Sequence, residues 1–336
     1  MRRPEAMLVM SDETFRTQFG RDELDRLARL AVLGDPLHVT DLDTDQARKR
    51  LAHVEVLLTS WGAPALTPER LAAAPGLRAV LHCAGSVRGL VTDAVWERGL
   101  LVTNAVDENA LPVAEFTFAA IILAGKRVPF LSAYARDRRD DWSIATEHGE
   151  LSNYGRTVGI VGFSRTGRRV VERLAALETR EVLVADPYAD PVVVAAAGAR
   201  LVPLDELLAA SDICSLHVPA LPETSGMIGG RELALLPDGA TLINTARGVV
   251  VDTEALEREC VSGRLYAMLD VTEPEPLPAS SVLYDLPNVM ITPHVAGSLG
   301  SETRRMTGAA LDELELYARG AAPRAAVTRA DLRTAA

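Results

Sequence analysis

Three short segments in the second half of the sequence each place a reactive side chain directly after an apolar run. They are Ile243-Asn244-Thr245-Ala246-Arg247-Gly248, Leu269-Asp270-Val271-Thr272-Glu273-Pro274-Glu275-Pro276 and Ile291-Thr292-Pro293-His294. The first offers a guanidinium, the second carboxylates in a proline-stiffened loop, and the third an imidazole. A planar arginine fork can fix the carboxylate and carbonyl of a 2-oxo acid. A histidine oriented by a carboxylate can pass a proton to the carbonyl oxygen. Hydride would have to come from a cofactor. Singly, each residue has a plainer reading: Arg247 a surface ion pair, Glu275 a solvated loop acid, His294 a capped core histidine. Together, at the strand ends of one nucleotide-binding sheet, Arg247, Glu275 and His294 form a candidate catalytic set.

The nucleotide signal is Val158-Gly159-Ile160-Val161-Gly162-Phe163-Ser164-Arg165-Thr166-Gly167, a buried strand entering a glycine-marked turn and then a helix. In this Rossmann context Gly162 permits the tight turn and Gly167 lets the helix pack closely on the strand. The helix N-terminus offers N–H groups to a pyrophosphate, so Gly162, Ser164, Arg165, Thr166 and Gly167 are candidate cofactor residues. Ser164 stands where the middle glycine is usual. Its hydroxyl can compensate by donating to a phosphate oxygen, with Arg165 adding a charge-assisted contact. The next apolar run ends in Asp186, 24 positions after Gly162. An acid there accepts the ribose hydroxyls of NAD and repels the 2′-phosphate of NADP. A helix-capping aspartate is the other reading, since Pro187 follows.

The elements that must position these residues follow from hydrophobic periodicity. Strands are expected over 7–10, 54–59, 77–83 and 101–103, with helices over 22–33, from Thr67-Pro68-Glu69 onward, and over 92–98. Residues 109–126 leave almost no polar face, which predicts a helix buried at a domain or subunit junction. The polar stretch 136–154 reads as a loop. A second series places strands over 157–161, 181–185, 213–216, 241–244, 265–269 and 289–292, a helix over 252–260, and a last helix carrying Met306, Ala310, Leu314 and Tyr317 that stops near Gly320 and Pro323. Alternating strands and helices imply an α/β fold with parallel sheets.

Composition sets bounds on function. The chain of 336 residues is 48% hydrophobic and carries a net charge of −11. That acidity gives it no electrostatic reason to seek nucleic acid or an anionic membrane. No run reaches the ~18 apolar residues of a membrane span, and Asp12 and Glu13 interrupt any signal-peptide core. Cys83, Cys214 and Cys260 lack metal-ligand spacing and read as buried thiols of a reducing compartment. No metal is expected, and a cytoplasmic location is.

From about Leu77 to Met306 the sequence resembles the D-isomer-specific 2-hydroxyacid dehydrogenases. The resemblance lies in Leu216-His217-Val218-Pro219, Pro222-Glu223-Thr224, the Asn-Thr-Ala-Arg-Gly segment at Asn244, Asp270-Val271 with Glu273-Pro274-Glu275-Pro276, and Thr292-Pro293-His294. Asn109-Ala110 with Val113-Ala114-Glu115 is similar to the family's inter-domain helix. The resemblance implies that Arg247, Glu275 and His294 are the catalytic residues, Glu275 being five places after Asp270. It also implies NAD contacts at His217, Val218, Thr245, Ala246 and Asp270. A loop binding the substrate carboxylate through backbone N–H groups would fall at Cys83–Arg88, with Gly85, Ser86 and Val87 as its substrate residues. Ser86 stands where glycine is usual and Arg88 where aspartate is common, which leaves the substrate open. Glu275 argues against formate, whose dehydrogenases carry glutamine there.

The fold implied is a Rossmann NAD-binding domain over 108–298 inserted into a smaller flavodoxin-like catalytic domain over 1–107 and 299–336. A homodimer joined through the Rossmann domains is implied as well. With the sequence ending at Ala336, the regulatory domains of the long phosphoglycerate dehydrogenases are expected to be absent. The family also contains corepressor-like relatives that keep the triad, so a non-catalytic NAD sensor is the alternative.

Overall fold

The computed structural model describes residues 2–143, 147 and 149–333. The chain forms two compact units, Met1–Asn109 with Ser298–Ala336, and Ala110–Gly297.

The first unit is built on five parallel strands, β1 (Glu5–Val9), β2 (Val32–Val39), β3 (Val56–Thr59), β4 (Ala79–His82) and β5 (Leu101–Thr103). Their order is β2-β1-β3-β4-β5, so the chain reverses direction across the sheet between β1 and β3. Side chains alternate along each strand, and both faces are covered. Met7, Val9 and Leu57 pack with Leu42, Leu51 and Leu71 on one face. Ala6, Leu8, Val56 and Leu58 pack on the other with Leu27 and Leu30 and with Ala310, Leu311 and Leu314 of the late helix Thr303–Arg319. Burial of that helix on the first sheet brings both ends of the chain into one unit. Its Glu313 is buried and accepts the Arg324 and Ala325 N–H groups, each at 3.0 Å.

Strand β2 departs from the sequence expectation. It contains Gly34-Asp35-Pro36, which read as a break, yet it pairs with β1 around a register shift between Ala6 and Leu8. An edge strand tolerates proline because one side of its backbone has no partner to satisfy. The short helices Asp12–Gln18 and Asp45–Leu51 were also unexpected; Ser11 and Thr44 cap them through their side-chain oxygens.

The second unit carries seven parallel strands: β6 (Thr157–Val161), β7 (Glu181–Ala185), β8 (Arg200–Leu201), β9 (Ile213–Leu216), β10 (Thr241–Asn244), β11 (Tyr266–Leu269) and β12 (Val289–Ile291). Their order, β12-β11-β10-β9-β6-β7-β8, reverses between β6 and β9. The chain thus adopts the expected α/β class, a doubly wound Rossmann-type sheet inserted into a smaller flavodoxin-like one.

The helix Val106–Gly125 contributes Ala114, Ala120, Ile121 and Ala124 to one core of the second unit. It is long and apolar enough to cross a membrane by length and composition, correcting the expectation that no segment is. A buried core helix meets the same criterion, and Asp107, Glu108 and Glu115 interrupt this one. Burial is not complete all round, because Ala119 and Leu123 are exposed. The stretch expected as a loop over 136–154 begins inside a further helix, Val128–Asp137; residues 144–146 and 148 lie outside the described residues.

Candidate active site

Strand β10 ends in Asn244, whose buried side chain shapes the turn that follows. Its Oδ1 accepts the Ala246 N–H and its Nδ2 donates to the Arg247 carbonyl, both at 3.0 Å. The Arg247 guanidinium emerges exposed, with Nη1 donating to the Ala246 carbonyl at 2.6 Å. Gly248 allows this turn to press on the loop after β11: a Cβ there would lie 1.9 Å from the Thr272 carbonyl oxygen. Desolvation by surrounding protein lowers the Arg247 pKa, and the Glu275 charge acts in the opposite direction.

The loop after β12 is held by Asp270 at the end of β11. The Asp270 carboxylate is buried and accepts the Thr292 hydroxyl at 2.6 Å and the Val295 and Ala296 N–H groups at 2.8 and 2.9 Å. The His294 N–H donates to the Asp270 carbonyl at 3.0 Å and the Thr292 carbonyl at 2.9 Å. These bonds hold His294 at φ 53°, in the left-handed region, a conformation that costs a non-glycine residue about 1–3 kcal/mol. The resulting ring places Nδ1 2.7 Å from Glu275 Oε1. A carboxylate can only accept, so Nδ1 carries the hydrogen and Nε2 remains for proton exchange. The pair is open to solvent, with side chains 50% and 44% exposed. Of the two nearby acids, Glu275 is the one that meets the imidazole; the Glu273 carbonyl accepts the Thr253 hydroxyl.

The glycine turn between β6 and the helix Arg165–Leu174 is tightly built. Gly162 has φ 96°, and a Cβ on it would lie 2.9 Å from the His217 carbonyl. A Cβ on Gly167 would lie 2.1 Å from the Gly162 oxygen. Ser164, at φ −67°, needs no glycine conformation, and its Oγ caps the helix by accepting the Gly167 N–H at 3.3 Å. Asp186, after β7, accepts the Phe163 N–H through Oδ2 and the Tyr188 N–H through Oδ1, each at 2.8 Å. Both sequence readings of Asp186 therefore meet in one carboxylate: it caps local backbone, and each oxygen keeps a further lone pair. A cradle that only glycine fits, a capped helix start and an acid at the next strand end suit a dinucleotide.

Other expected cofactor residues are turned inward. The His217 ring is buried, its Nε2 lies 3.0 Å from Ser215 Oγ, and burial pushes its pKa down to about 3. The ring is therefore neutral, and it is the His217 backbone and the Val218 side chain that border Gly162. Thr245 is buried with its hydroxyl 2.8 Å from that of Thr117. Asn244 and Thr117 were not foreseen as supports of this site. An asparagine two residues before a bonded N–H is a local turn signal, whereas Thr117 lies 128 residues from its partner.

In the first unit, the loop after β4 starts at Cys83, whose carbonyl accepts Gln18 Nε2 at 3.0 Å and Ser60 Oγ at 3.2 Å. Gly85 is buried, Ser86 exposed, and the Val87 side chain belongs to the core. Ser86 Oγ accepts the Arg88 N–H at 3.4 Å. His82 beneath the loop has Nδ1 2.9 Å from Thr59 Oγ1, and burial lowers its pKa to about 4. Burial pushes the Cys83 thiol up to about 12, which makes it unreactive.

The cap on Ser164 sharpens a prediction about phosphate binding. Ser164→Ala removes an N-cap worth about 1 kcal/mol and any hydrogen bond to phosphate. Ser164→Gly retains most of the capping preference. We expect alanine to weaken NADH binding by roughly five- to tenfold in a calorimetric titration. Alanine binding as tightly as serine would remove the hydroxyl from phosphate recognition.

Comparison with known proteins places this geometry among relatives. The family model described as the D-isomer specific 2-hydroxyacid dehydrogenase, NAD binding domain, matches residues 118–296. A D-3-phosphoglycerate dehydrogenase of Mycobacterium tuberculosis is 36% identical over 280 residues, covering 82% of this chain and 52% of that protein. The chain thus spans about half the length of such relatives. A glyoxylate reductase of Korarchaeum cryptofilum is 35% identical over 255 residues, covering 75% of this chain and 76% of that one. The crystal structure of a Thermus thermophilus protein, 30% identical, matches with a TM-score of 0.77 over 96% of this chain and 100% of that one.

Proposed function

The chain belongs to the D-isomer-specific 2-hydroxyacid dehydrogenase family, and from that premise we propose that it interconverts a 2-oxo acid and a D-2-hydroxy acid with NAD. The observation that carries the reading is the 2.7 Å contact between His294 and Glu275, with Arg247 close enough to feel the same carboxylate. When bound, NADH supplies the hydride. Arg247 fixes the substrate carboxylate and carbonyl, polarising the carbonyl oxygen. His294 Nε2 delivers a proton to that oxygen and takes one back in the oxidative direction. Glu275 holds the Nδ1 hydrogen, which sets the ring plane and stabilises the imidazolium formed in oxidation. Backbone N–H groups of Gly85, Ser86 and Val87 bind the substrate carboxylate.

The same reading includes a homodimer. The exposed Ala119 and Leu123 on the helix Val106–Gly125 give an apolar surface suited to a second copy. NADH oxidation with glyoxylate, hydroxypyruvate, pyruvate and bulkier 2-oxo acids tests the activity, and inertness toward all of them would refute it.

Cofactor choice follows from Asp186. Its carboxylate favours ribose hydroxyls and repels a 2′-phosphate, so kcat/KM with NADH should exceed that with NADPH by at least about tenfold. Asp186→Ser should narrow the gap, partly by weakening NADH binding, since the Phe163 N–H loses its carboxylate partner. Equal kcat/KM for the two cofactors in the unmodified protein would contradict this role.

A further inference from the structure

In open parallel sheets, ligands bind outside the carboxyl ends of the strands where the strand order reverses. In the first unit that reversal lies between β1 and β3, and the chain places an indole there. Ser60-Trp61-Gly62 follows β3 directly, and Trp61 is 43% exposed.

The turn that carries it is fixed on both sides. The Trp61 carbonyl accepts the Ser11 N–H, just beyond β1, at 2.9 Å, and the Ala63 N–H donates to the Ser60 carbonyl at 3.0 Å. Gly62, at φ 83°, packs so closely that a Cβ would lie 2.7 Å from Ser11 Cβ. Ser60 Oγ also donates to the Cys83 carbonyl. That bond fastens the Trp61 turn to the start of the loop assigned to the substrate carboxylate.

The charge around the indole does not suit a phosphate. Asp12, next to Ser11, has its side chain 77% exposed, and the His38 imidazole 3.8 Å from it stacks on Phe15. Residues 60–64 contribute no cation. A flat, firmly held apolar surface beside a carboxylate-binding loop suits a substrate whose other end is flat and apolar.

We propose that Trp61 determines specificity by forming the side-chain subsite for a 2-oxo acid with a bulky apolar substituent, best an aromatic one. The proposal rests on the 2-oxo acid reductase reading above. It is tested by kcat/KM with NADH for phenylpyruvate, glyoxylate and 3-phosphohydroxypyruvate, in the unmodified protein, Trp61→Ala and Trp61→Phe. Phenylpyruvate should rank first in the unmodified protein, a result that needs no variant to fold. Trp61→Ala should lower the phenylpyruvate-to-glyoxylate ratio by at least roughly tenfold, mainly through KM, and Trp61→Phe should retain most of it. Reduction of glyoxylate or the phosphorylated acid in preference to phenylpyruvate, or a ratio unchanged by Trp61→Ala, overturns the subsite alone. No NADH oxidation with any of the three acids overturns the reductase reading and the subsite with it.

Discussion

Replacing His294 by alanine should lower kcat by roughly 10²–10⁴, the usual loss when a general acid is removed. The expectation follows from the ring's geometry. Nδ1 faces a carboxylate, so the proton available to a substrate is the one on Nε2. Water can replace that proton source but cannot be held in the same place. The backbone complicates the experiment, because His294 sits at φ 53°, where alanine is strained. His294→Asn is the better-behaved companion, since asparagine adopts left-handed backbone more readily. Both variants should lose turnover to a similar degree, and NADH binding followed by fluorescence should survive in both. Glu275→Gln should fall between them and the unmodified protein, because an amide oxygen can still accept the Nδ1 hydrogen but no longer supplies charge. Near-normal turnover by His294→Asn would remove the imidazole from the chemistry.

The parts of this site that could be read from sequence are those whose physics is local. Buried parallel strands are apolar on both faces, so Thr157–Val161, Ile213–Leu216 and Thr241–Asn244 stand out as short hydrophobic runs, each followed by a polar turn. Gly162 and Gly167 signal a tight turn because their neighbours in sequence are also their neighbours in space. Support from distant segments is not legible in this way. Asp270 reads as one more acid at a strand end, yet its carboxylate bonds to N–H groups 25 and 26 residues away and holds the His294 loop. Gly248 gives no sign in sequence that Thr272 approaches it. Strand β2 was hidden for a different reason: its stability comes from pairing with β1, while its own Gly34-Asp35-Pro36 argues for a turn. Tertiary pairing overrides local propensity there.

Arg247→Ala should reduce kcat/KM by roughly 10²–10³, with KM raised and kcat depressed together. A guanidinium that only bound the substrate carboxylate would change KM alone; one that also polarises the carbonyl must act in the transition state. Arg247→Lys should recover little, because a point charge cannot reproduce two parallel N–H bonds. The position of the fork depends on its frame. Asn244 bonds to the residues on both sides of the Ala246–Arg247 peptide, and Gly248 sets how closely the turn approaches the Glu275 loop. Adding guanidinium to the assay separates the two contributions. In Arg247→Ala the turn is intact and the fork is missing, so free guanidinium should restore part of the rate. In Gly248→Ala the fork is present but displaced by a Cβ that cannot fit against Thr272, so guanidinium should restore nothing. Wild-type kcat/KM in Arg247→Lys would show that a single positive charge suffices and that the planar fork has no part in the reaction.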